Sequence, residues 1–454
     1  MKSSPPHKIQ ETLADPKLQR AIYSATGRLA ENRRKTVLPE VLPDFQDLRE
    51  HAHNIKKHTL DHLDVYLEEF ERNVIARGGK VIWANTAAEA CAFIGNLCRE
   101  RGVKLVVKSK SMTSEEIHLN KYLEKDGIEA VETDLGEYII QLTGETPYHI
   151  VAPALHKTLE QVADVLHAPP GATAESLTAM ARATLREKFL AAGVGITGAN
   201  FLVADSGAVV LVENEGNARL SSSAPRIHIA LAGIEKLIPR AQDLAVFLKL
   251  LGRSGTGQPL TVYTSYLAGT RKPGEPDGPD EFYVVLLDNG RTKILADAKK
   301  RQSLFCIRCG ACLNHCPVYR KIGGYSYPWV YSGPIGKILT PQFMGREHDP
   351  WLPFASSLCG ACGEVCPVKI EIPKILLELR QEIAEKEGDR AEHLAFRMFS
   401  WVMRHPHVYE QFRWVRKMGK MPAAGPLKAW LSQRDLPNLP QKSFRELWRE
   451  RGRS

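Results

Sequence analysis

The stretch FCIRCGACLNHCPVY, residues Phe305 to Tyr319, places four of the chain's nine cysteines within eleven positions. Their spacing is Cys-x2-Cys-x2-Cys-x3-Cys-Pro. Three thiolates on a tight turn can hold three corners of an iron–sulfur cube, while the fourth cysteine points away toward a second cluster. A zinc site needs four ligands around one ion, commonly from two Cys-x2-Cys pairs, and does not need the trailing proline. The spacing therefore favours iron–sulfur chemistry over a zinc site or a redox dithiol.

A second, incomplete copy of this motif follows at Ser356 to Ile370, SSLCGACGEVCPVKI. Ser356 stands where the first copy has Cys306. In a two-cluster arrangement the ligands are expected to cross between the copies. One predicted ligand set is Cys306, Cys309, Cys312 and Cys366, and the other is Cys316, Cys359 and Cys362. Two clusters in one module predict an electron relay.

The second set leaves one iron without a cysteine. We interpret it as a 4Fe–4S cluster whose fourth ligand is a hydroxyl, with Ser356 or Ser357 as candidates, or a water or a partner group. A three-iron cluster and an open iron that contacts a substrate are the alternatives. Gly310, Gly360 and Gly363 are expected to let the backbone close on inorganic sulfide. The remaining cysteines, Cys91 and Cys98, lie on one predicted helix and are expected to be buried core residues.

The chain before the cysteines is predicted to be α/β. KVIWAN, VKLVVKSK and IEAVETD are predicted strands that alternate with helical patterns, which indicates a parallel sheet with crossover helices. Further strands follow from residue 194 onward and make the unit mixed. The predicted organisation is a helical N-terminal segment at 1–78, an α/β domain at 79–290, a mainly helical two-cluster domain at 291–388 and a C-terminal extension at 389–454.

Within the N-terminal segment, one long helix is predicted from Asp44, as N-cap, to Gly78. Its four histidines are expected to be solvated, because no cysteine or carboxylate pattern accompanies them. They are His51, His53, His58 and His62.

Several polar groups of the α/β domain are weaker candidates. The turn Lys108–Ser111 follows a strand and precedes a helix, a place where α/β folds bind anions, although a solvated turn is the alternative. Glu213 is a candidate nucleophile or base only by fold analogy. Asp205–Gly207 is predicted to be a hairpin turn. Gly252–Gly257 is predicted to be an ordinary turn, and no dinucleotide fingerprint follows a strand, which argues against bound NAD or FAD.

The composition is that of a soluble protein, and the uneven distribution of charge indicates that binding partners contact the C-terminal extension. An apolar content of 43% and a charged content of 25% are typical of soluble globular proteins. Because no secretory signal and no run of ~18 apolar residues is visible, we expect a cytosolic protein with reduced thiols. The net charge is +9, and residues 391–454 hold 13 Lys and Arg against 5 Asp and Glu.

This basic extension is also rich in tryptophan, with Trp401, Trp414, Trp430 and Trp448. We expect it to wrap the iron–sulfur domain or to dock a partner subunit. Peripheral contact with an anionic membrane is the alternative, and nucleic-acid binding is not expected.

Both halves of the chain resemble a known family. CIRCGACLNHCPVYRKIGGYSYPWVYSGPIGKILTP followed by SSLCGACGEVCPVKI resembles the LutB-type lactate utilisation iron–sulfur proteins. GITGANFLVADSGAVVLVENEGNARLSSSAPRIHIALAGIEKLIP, ETDLGEYIIQL and HIVAPALH resemble their LUD domain, which is similar in fold to the ribose-phosphate isomerase and CoA-transferase group. The resemblance covers nearly the whole chain, and the serine at position 356 agrees with the family pattern.

The resemblance implies a cytosolic electron carrier in the oxidation of L-lactate to pyruvate, with two 4Fe–4S clusters bound by the two sets of cysteines given above. It implies partner subunits of two kinds, a cysteine-rich protein of the heterodisulfide-reductase type and a second LUD protein. The electron acceptor is unknown. An alternative hypothesis is that the LUD domain itself binds and oxidises lactate or an acyl derivative, and a third is an iron–sulfur sensor that acts through the basic extension.

Overall fold

The computed structural model describes residues 7–387, 390–411 and 442–452. The chain divides into two compact units, residues 1–383 and 384–454. No helix among the described residues is long and apolar enough to cross a membrane.

Four helices form the N-terminal segment. They are α1 (His7–Ala14), α2 (Pro16–Thr36), α3 (Phe45–Asp61) and α4 (Leu63–Ala76). The prediction of one helix from Asp44 to Gly78 is wrong at one point, because His62 leaves helical geometry, with φ −128° and ψ 36°, and separates α3 from α4. Asp44 does precede α3, but its side chain makes no capping hydrogen bond.

Within the described part of the chain, ten strands form two sheets. The strands are β1 (Lys80–Ala84), β2 (Leu105–Lys108), β3 (Glu129–Glu132), β4 (Val194–Thr197), β5 (Phe201–Val203), β6 (Ala208–Glu213), β7 (Ile227–Gly233), β8 (Leu237–Ile238), β9 (Tyr263–Leu267) and β10 (Glu281–Leu287). The larger sheet has the order β1-β10-β7-β4-β2-β3, and all its strand pairs are parallel. The predicted parallel sheet is therefore confirmed.

The smaller sheet has the order β8-β5-β6-β9 and is mixed, with β5 antiparallel to β6 and parallel to β8. The predicted hairpin turn at Asp205–Gly207 joins β5 to β6. Gly207 has a φ of +66°, and a Cβ at this position would lie 2.5 Å from the backbone nitrogen of Val74. Only glycine fits this approach of the turn to α4.

Fourteen helices lie between β1 and the end of α18. They are α5 (Ala87–Glu100), α6 (Met112–Glu116), α7 (Leu119–Lys125), α8 (Leu135–Leu142), α9 (Leu159–Val165), α10 (Ala174–Ala191), α11 (Asn217–Ser223), α12 (Leu244–Gly255), α13 (Arg291–Ala296), α14 (Ala311–His315), α15 (Tyr319–Ile322), α16 (Gly333–Met344), α17 (Ala361–Glu364) and α18 (Ile372–Glu387). The helices α8 and α11 were not predicted. A single predicted helix after Ser111 is split into α6 and α7, because His118 adopts a left-handed φ of +53°.

One hydrophobic core joins three of the predicted segments. It contains Phe45 from the N-terminal helices, Val284 from the parallel sheet, and Cys309 and Leu339 from the cysteine region. The cysteine loops are thus packed against both neighbouring segments within residues 1–383.

The second unit contains α19 (Arg390–Arg404), α20 (Pro406–Gln411) and α21 (Phe444–Arg451). Large apolar side chains on its helices are exposed, among them Phe396, Phe399, Trp401 and Trp448. Trp414 and Trp430 lie outside the described residues.

Candidate iron–sulfur centre

The two cysteine motifs share an unusual backbone conformation. Arg308 and Gly310 flank Cys309 with φ values of +60° and +78°, and Leu358 and Gly360 flank Cys359 with +54° and +86°. A left-handed conformation is uncommon for a residue other than glycine. Each glycine then begins a short helix, α14 in the first motif and α17 in the second. The sequence repeat is therefore also a repeat of backbone geometry.

The first predicted ligand set meets in one place. The side chains of Cys306, Cys309, Cys312 and Cys366 line a common cavity, although Cys366 belongs to the second motif. Its other walls are mostly apolar, among them Ile150 and Ile335. This is the arrangement expected if cysteines from the two motifs serve one group.

The thiol sulfur atoms of this cavity, and the N–H groups that donate to them, fit an iron–sulfur cluster. The backbone N–H of Arg308 donates to Sγ of Cys306, and that of Ile370 donates to Sγ of Cys366, both at 3.4 Å. Burial raises the pKa of the Cys366 thiol to about 11 and that of Cys309 still further. Such thiols are poor free nucleophiles, and it takes a bound metal to draw off their protons.

The spacing of the thiols does not suit a single metal ion. A tetrahedral zinc ion with Zn–S distances of about 2.3 Å would hold its sulfur atoms roughly 3.8 Å apart. Among the described residues, the only group of metal-ligating side chains within 4.8 Å of one another is Glu115, Glu132 and Glu137, with no cysteine. In any three of these thiols, at least two sulfur atoms are therefore more than 4.8 Å apart, farther than one tetrahedral zinc ion would hold them.

The second predicted set lies nearby and closer to the surface. Cys359 is exposed, Cys362 is half-buried and Cys316 is buried. Burial first, and then the charge of Cys316, raise the pKa of Cys362 to about 11. The ammonium group of Lys337 is buried and donates to Sγ of Cys316 at 3.9 Å.

The serine candidates for the missing ligand make different contacts. Hydrogen bonds from the backbone N–H of Ala361 and, after it, from the hydroxyl of Ser357 lower the pKa of the Cys359 thiol. The hydroxyl of Ser356 instead accepts the backbone N–H of Leu358 at 3.2 Å. Ser357 is therefore the serine whose hydroxyl already contacts this set.

Two buried arginines from the N-terminal helices hold the second motif. Arg49 donates to the carbonyl oxygens of Cys366 at 2.9 Å and Glu364 at 2.7 Å. Arg33 donates to the carbonyl oxygen of Val365 at 3.2 Å. These arginines bring positive charge close to the motif cysteines, and no pattern in the sequence reveals them.

His53 is a further contact of this kind. It was expected to be solvated, but its Nδ1 lies 3.0 Å from the carbonyl oxygen of Val368, and its ring packs edge-on against Phe305. His51, His58 and His62 are exposed, as predicted.

A buried ionic network connects the cysteine loop to the α/β domain. Arg291 binds both carboxylate oxygens of Glu116 at 2.9 Å and Glu235 at 2.5 Å. Arg308 lies 3.6 Å from Glu235 and stacks over the ring of Tyr331. Residues 291–303 have the polar sequence of a linker. In the structure, however, Arg291 is 1% exposed and forms ion pairs with both carboxylates.

The predicted anion-binding turn is only partly available for a ligand. Lys108 is fully buried and pairs with Glu132 at 2.6 Å and with Glu115 at 3.2 Å. Burial alone would lower the pKa of Lys108, but these carboxylates raise it above its ordinary value. Lys108 therefore supplies the positive charge inside the group of three glutamates described above, whereas Lys110 lines a separate cavity.

That separate cavity has a volume of about 370 Å³ and also reaches Glu213, Gly252 and Cys309. Glu213 accepts the backbone N–H groups of Ala218 and Arg219 at 2.7 and 2.8 Å, and burial raises its pKa. The predicted turn at Gly252–Gly257 is wrong for its first four residues, because α12 extends to Gly255 and Gly252 belongs to its last turn.

Cys91 and Cys98 are buried on α5, in a core cluster distinct from that of the motif cysteines. The expectation that they are core residues is confirmed.

Together, the fold and the site define an α/β protein joined to a dicluster-type iron–sulfur domain. Family models agree. The LUD domain matches residues 67–287, the 4Fe-4S dicluster domain matches residues 302–370, and the C-terminal domain of lactate utilisation protein B matches residues 378–453.

Curated relatives match over almost the whole chain. Lactate utilization protein B of Bacillus velezensis is 44% identical and covers 98% of this chain and 96% of its own. That of Bacillus subtilis is also 44% identical and covers 95% and 93%. An uncharacterized electron transport protein of Escherichia coli, YkgF, is 41% identical and covers 98% and 96%. The chain belongs to the lactate utilization protein B family, as its sequence predicted.

Among solved structures, a DUF162 family protein from Deinococcus radiodurans matches with 12% identity and a TM-score of 0.29. The match covers 50% of this chain and 98% of that one.

Proposed function

We propose that this chain is a cytosolic iron–sulfur electron-transfer subunit of an L-lactate oxidation system. The names of its relatives refer to lactate utilization and to electron transport. A 4Fe–4S cluster, when bound, accepts and releases single electrons. The observation that carries the proposal is that Cys366 of the second motif lines the same cavity as Cys306, Cys309 and Cys312.

The proposed ligand sets are those of the sequence analysis. Cys306, Cys309, Cys312 and Cys366 would hold the first cluster, and Cys316, Cys359 and Cys362 the second. Burial, and after it the charges of neighbouring thiols that include Cys362, raise the pKa of Cys312, so the two sets lie near each other. Short separations between redox groups are what a relay needs.

Burial distinguishes the roles of the two sets. The first set lies largely in the protein core, and the second reaches the surface at Cys359. We therefore assign the second set to the exchange of electrons with a partner. The partner class is taken from the family resemblance, namely a cysteine-rich protein of the heterodisulfide-reductase type and a second LUD protein.

The chain's own residues bring positive charge to both cysteine sets. Lys337 and Arg49 are buried beside the cysteines, and backbone N–H groups donate to sulfur. These positive charges and N–H groups would stabilise the reduced form of a bound cluster, which carries more negative charge than the oxidised form. Removing these donors should lower the reduction potential.

Anaerobic purification of the chain with its co-purifying partners tests the proposal. We expect about eight irons per chain and EPR signals that develop when L-lactate is titrated into the complex but not into the chain alone. Cys309→Ala should lose about half of the iron, whereas Cys91→Ala, a core cysteine outside the motifs, should retain all of it. A colourless or zinc-containing preparation, or full iron and lactate-driven reduction in Cys309→Ala, would show the proposal to be wrong.

A further inference from the structure

Three glutamates meet at the carboxyl edge of the parallel sheet. β2 ends at Lys108 and β3 ends at Glu132, and these two residues are paired in the sheet. Glu115 on α6 and Glu137 on α8 complete the group, which contains no cysteine. Open α/β sheets characteristically bind ligands at the carboxyl ends of their strands.

The carboxylates of this group are close enough to share one ion. One oxygen atom from each of Glu115, Glu132 and Glu137 lies within 4.8 Å of the other two. Oxygen ligands on opposite sides of a Mg²⁺ or Ca²⁺ ion are about 4–5 Å apart. The distances between these carboxylates therefore suit coordination of one such cation.

Lys108 offsets part of the negative charge, but its donors are already used. An ammonium group has three N–H donors. The ammonium group of Lys108 contacts Oγ of Ser114 at 2.8 Å, Oε1 of Glu132 at 2.6 Å and Oε1 of Glu115 at 3.2 Å. With the three carboxylates ionised, this one ammonium group leaves the cluster with an excess of negative charge.

The side chain of Glu137 extends into the group without a hydrogen-bond partner. Glu137 is 2% exposed, and neither of its carboxylate oxygens has a hydrogen-bond partner among the described residues. The same holds for Oε2 of Glu132 and for Oδ1 of Asn120, whose amide nitrogen donates to Oε1 of Glu132 at 2.8 Å. Buried oxygen atoms are costly to leave unpaired, and a cation bound between them would offset that cost.

The ligand atoms indicate the type of ion. Carboxylate and carbonyl oxygens suit magnesium, calcium and manganese, whereas thiolates and imidazoles suit zinc and iron. Every member of the group is a glutamate, and the side chain of Glu115 is 22% exposed, which gives the group a contact with solvent.

We propose that Glu115, Glu132 and Glu137 bind one divalent cation of the oxygen-preferring class beside Lys108. The cation connects the end of β3 to α6 and α8 and stabilises this edge of the α/β domain. The inference goes beyond electron transfer, because it assigns a second kind of metal site to a part of the chain that holds none of the motif cysteines.

A proton on Glu137 is the competing explanation for the unpaired oxygens. Burial first, and then the charge of Glu132, raise the pKa of Glu137 well above its ordinary value. Because a proton and a metal ion compete for the same carboxylate, addition of the metal distinguishes the two explanations.

Titration of Mn²⁺ into the full-length, anaerobically purified protein tests the site. EPR at room temperature measures the free Mn²⁺, since the signals of 4Fe–4S clusters are not observed at that temperature. We expect saturable binding of about one Mn²⁺ per chain, displacement by Mg²⁺ or Ca²⁺, and a higher melting temperature, because a ligand of the folded state stabilises it. Absence of saturable binding at neutral pH would overturn the inference.

Variants identify the ligands. Glu137→Gln keeps the side-chain volume and should weaken Mn²⁺ binding by about tenfold or more, with loss of the Mn²⁺-dependent rise in melting temperature. Glu124→Gln is the matched control, because Glu124 is exposed on the neighbouring helix α7 and lies outside the group, and it should leave both measurements unchanged.

Glu115→Gln, a change at the more exposed ligand, should also weaken Mn²⁺ binding, and it keeps the test valid if Glu137→Gln does not fold. Equal Mn²⁺ affinity in the wild type and in either ligand variant would overturn the inference. Iron content is measured on every preparation, so that damage to the cysteine sites is distinguished from loss of the cation site. If Mn²⁺ did not bind to iron-replete protein that lactate still reduced through its partners, the cation site would fall and the relay would stand.

Discussion

At the scale of single residues, burial determines the protonation of the titratable groups in the interior. His228 on β7 is 1% exposed, its Nε2 lies 2.9 Å from Oγ1 of Thr197, and its ring stacks on Phe282. Burial lowers its pKa to about 3, so the ring is neutral in the folded protein at neutral pH. An exposed histidine of the unfolded chain titrates near about 6.5.

This difference predicts a pH dependence of stability. Because the folded pKa of His228 is depressed, its contribution is fully present above the unfolded pKa and is lost as the pH falls from about 6.5 toward 3. His228→Asn removes this titration. The difference in free energy of unfolding between wild type and variant should therefore shrink by about 2 kcal/mol between pH 7 and pH 5.

Denaturant unfolding of both proteins at the two pH values measures this change. His149, whose pKa burial also lowers to about 3, is common to both proteins and cancels in the comparison. A difference that does not change with pH would contradict the assignment of a neutral His228.

At the scale of elements, the two cysteine motifs act as one unit. Each has the same left-handed, cysteine, left-handed backbone pattern, and each begins a short helix at its glycine. Neither motif alone brings four thiols together, because the cavity of the first set includes Cys366. The unit is therefore assembled between elements that are about fifty residues apart in sequence.

The proposed crossing of the ligand sets makes a prediction about single cysteine variants. Cys366→Ala should remove the same EPR signal as Cys309→Ala, although the two cysteines lie in different motifs. Cys359→Ala should remove the other signal, and each variant should lose about half of the iron. EPR spectra and iron analysis of the three anaerobically purified variants provide the measurement. Matching spectra for Cys366→Ala and Cys359→Ala would show that each motif holds its own cluster.

At the scale of the whole molecule, the N-terminal helices belong to the cysteine region as much as to the α/β domain. Arg49 on α3 reaches the carbonyl oxygens of the second motif across more than three hundred residues of sequence. Lys56, about two helical turns further along α3, is buried and donates to the carbonyl oxygen of Glu235 at 2.5 Å. The helix α3 thus contacts both the cysteine loops and the small sheet.

Removing one of these contacts should loosen the second motif. Arg49→Met keeps much of the side-chain volume but loses the charged hydrogen bonds, each worth about 1.5–3 kcal/mol. We expect a lower melting temperature and faster loss of iron to a chelator. Lys57→Met is the matched control, since Lys57 is exposed on the same helix and pairs only with Asp61 among the described residues. Equal rates of iron loss in the two variants would exclude a role for Arg49 in holding the motif.

Much of the architecture follows from local pattern. Short apolar strands alternating with amphipathic helices predicted the parallel sheet, and the family resemblance predicted the LUD and dicluster domains; both are confirmed. The breaks at His62 and His118 were not predicted, because single residues leave helical geometry there without a proline or glycine to mark them. The same limit applies to α11, a short helix of small polar residues with little amphipathic pattern.

By itself, the sequence determined the chemistry of this protein: seven motif cysteines at iron–sulfur spacing, and an α/β domain before them. Spacing along the chain suffices for this, because the ligands of a tight turn are neighbours in sequence. The tertiary structure alone decided which charges surround them, among them those of Arg49, Arg291 and Arg308. Burial and ion pairing depend on residues that are distant in the chain, and no local pattern encodes those encounters.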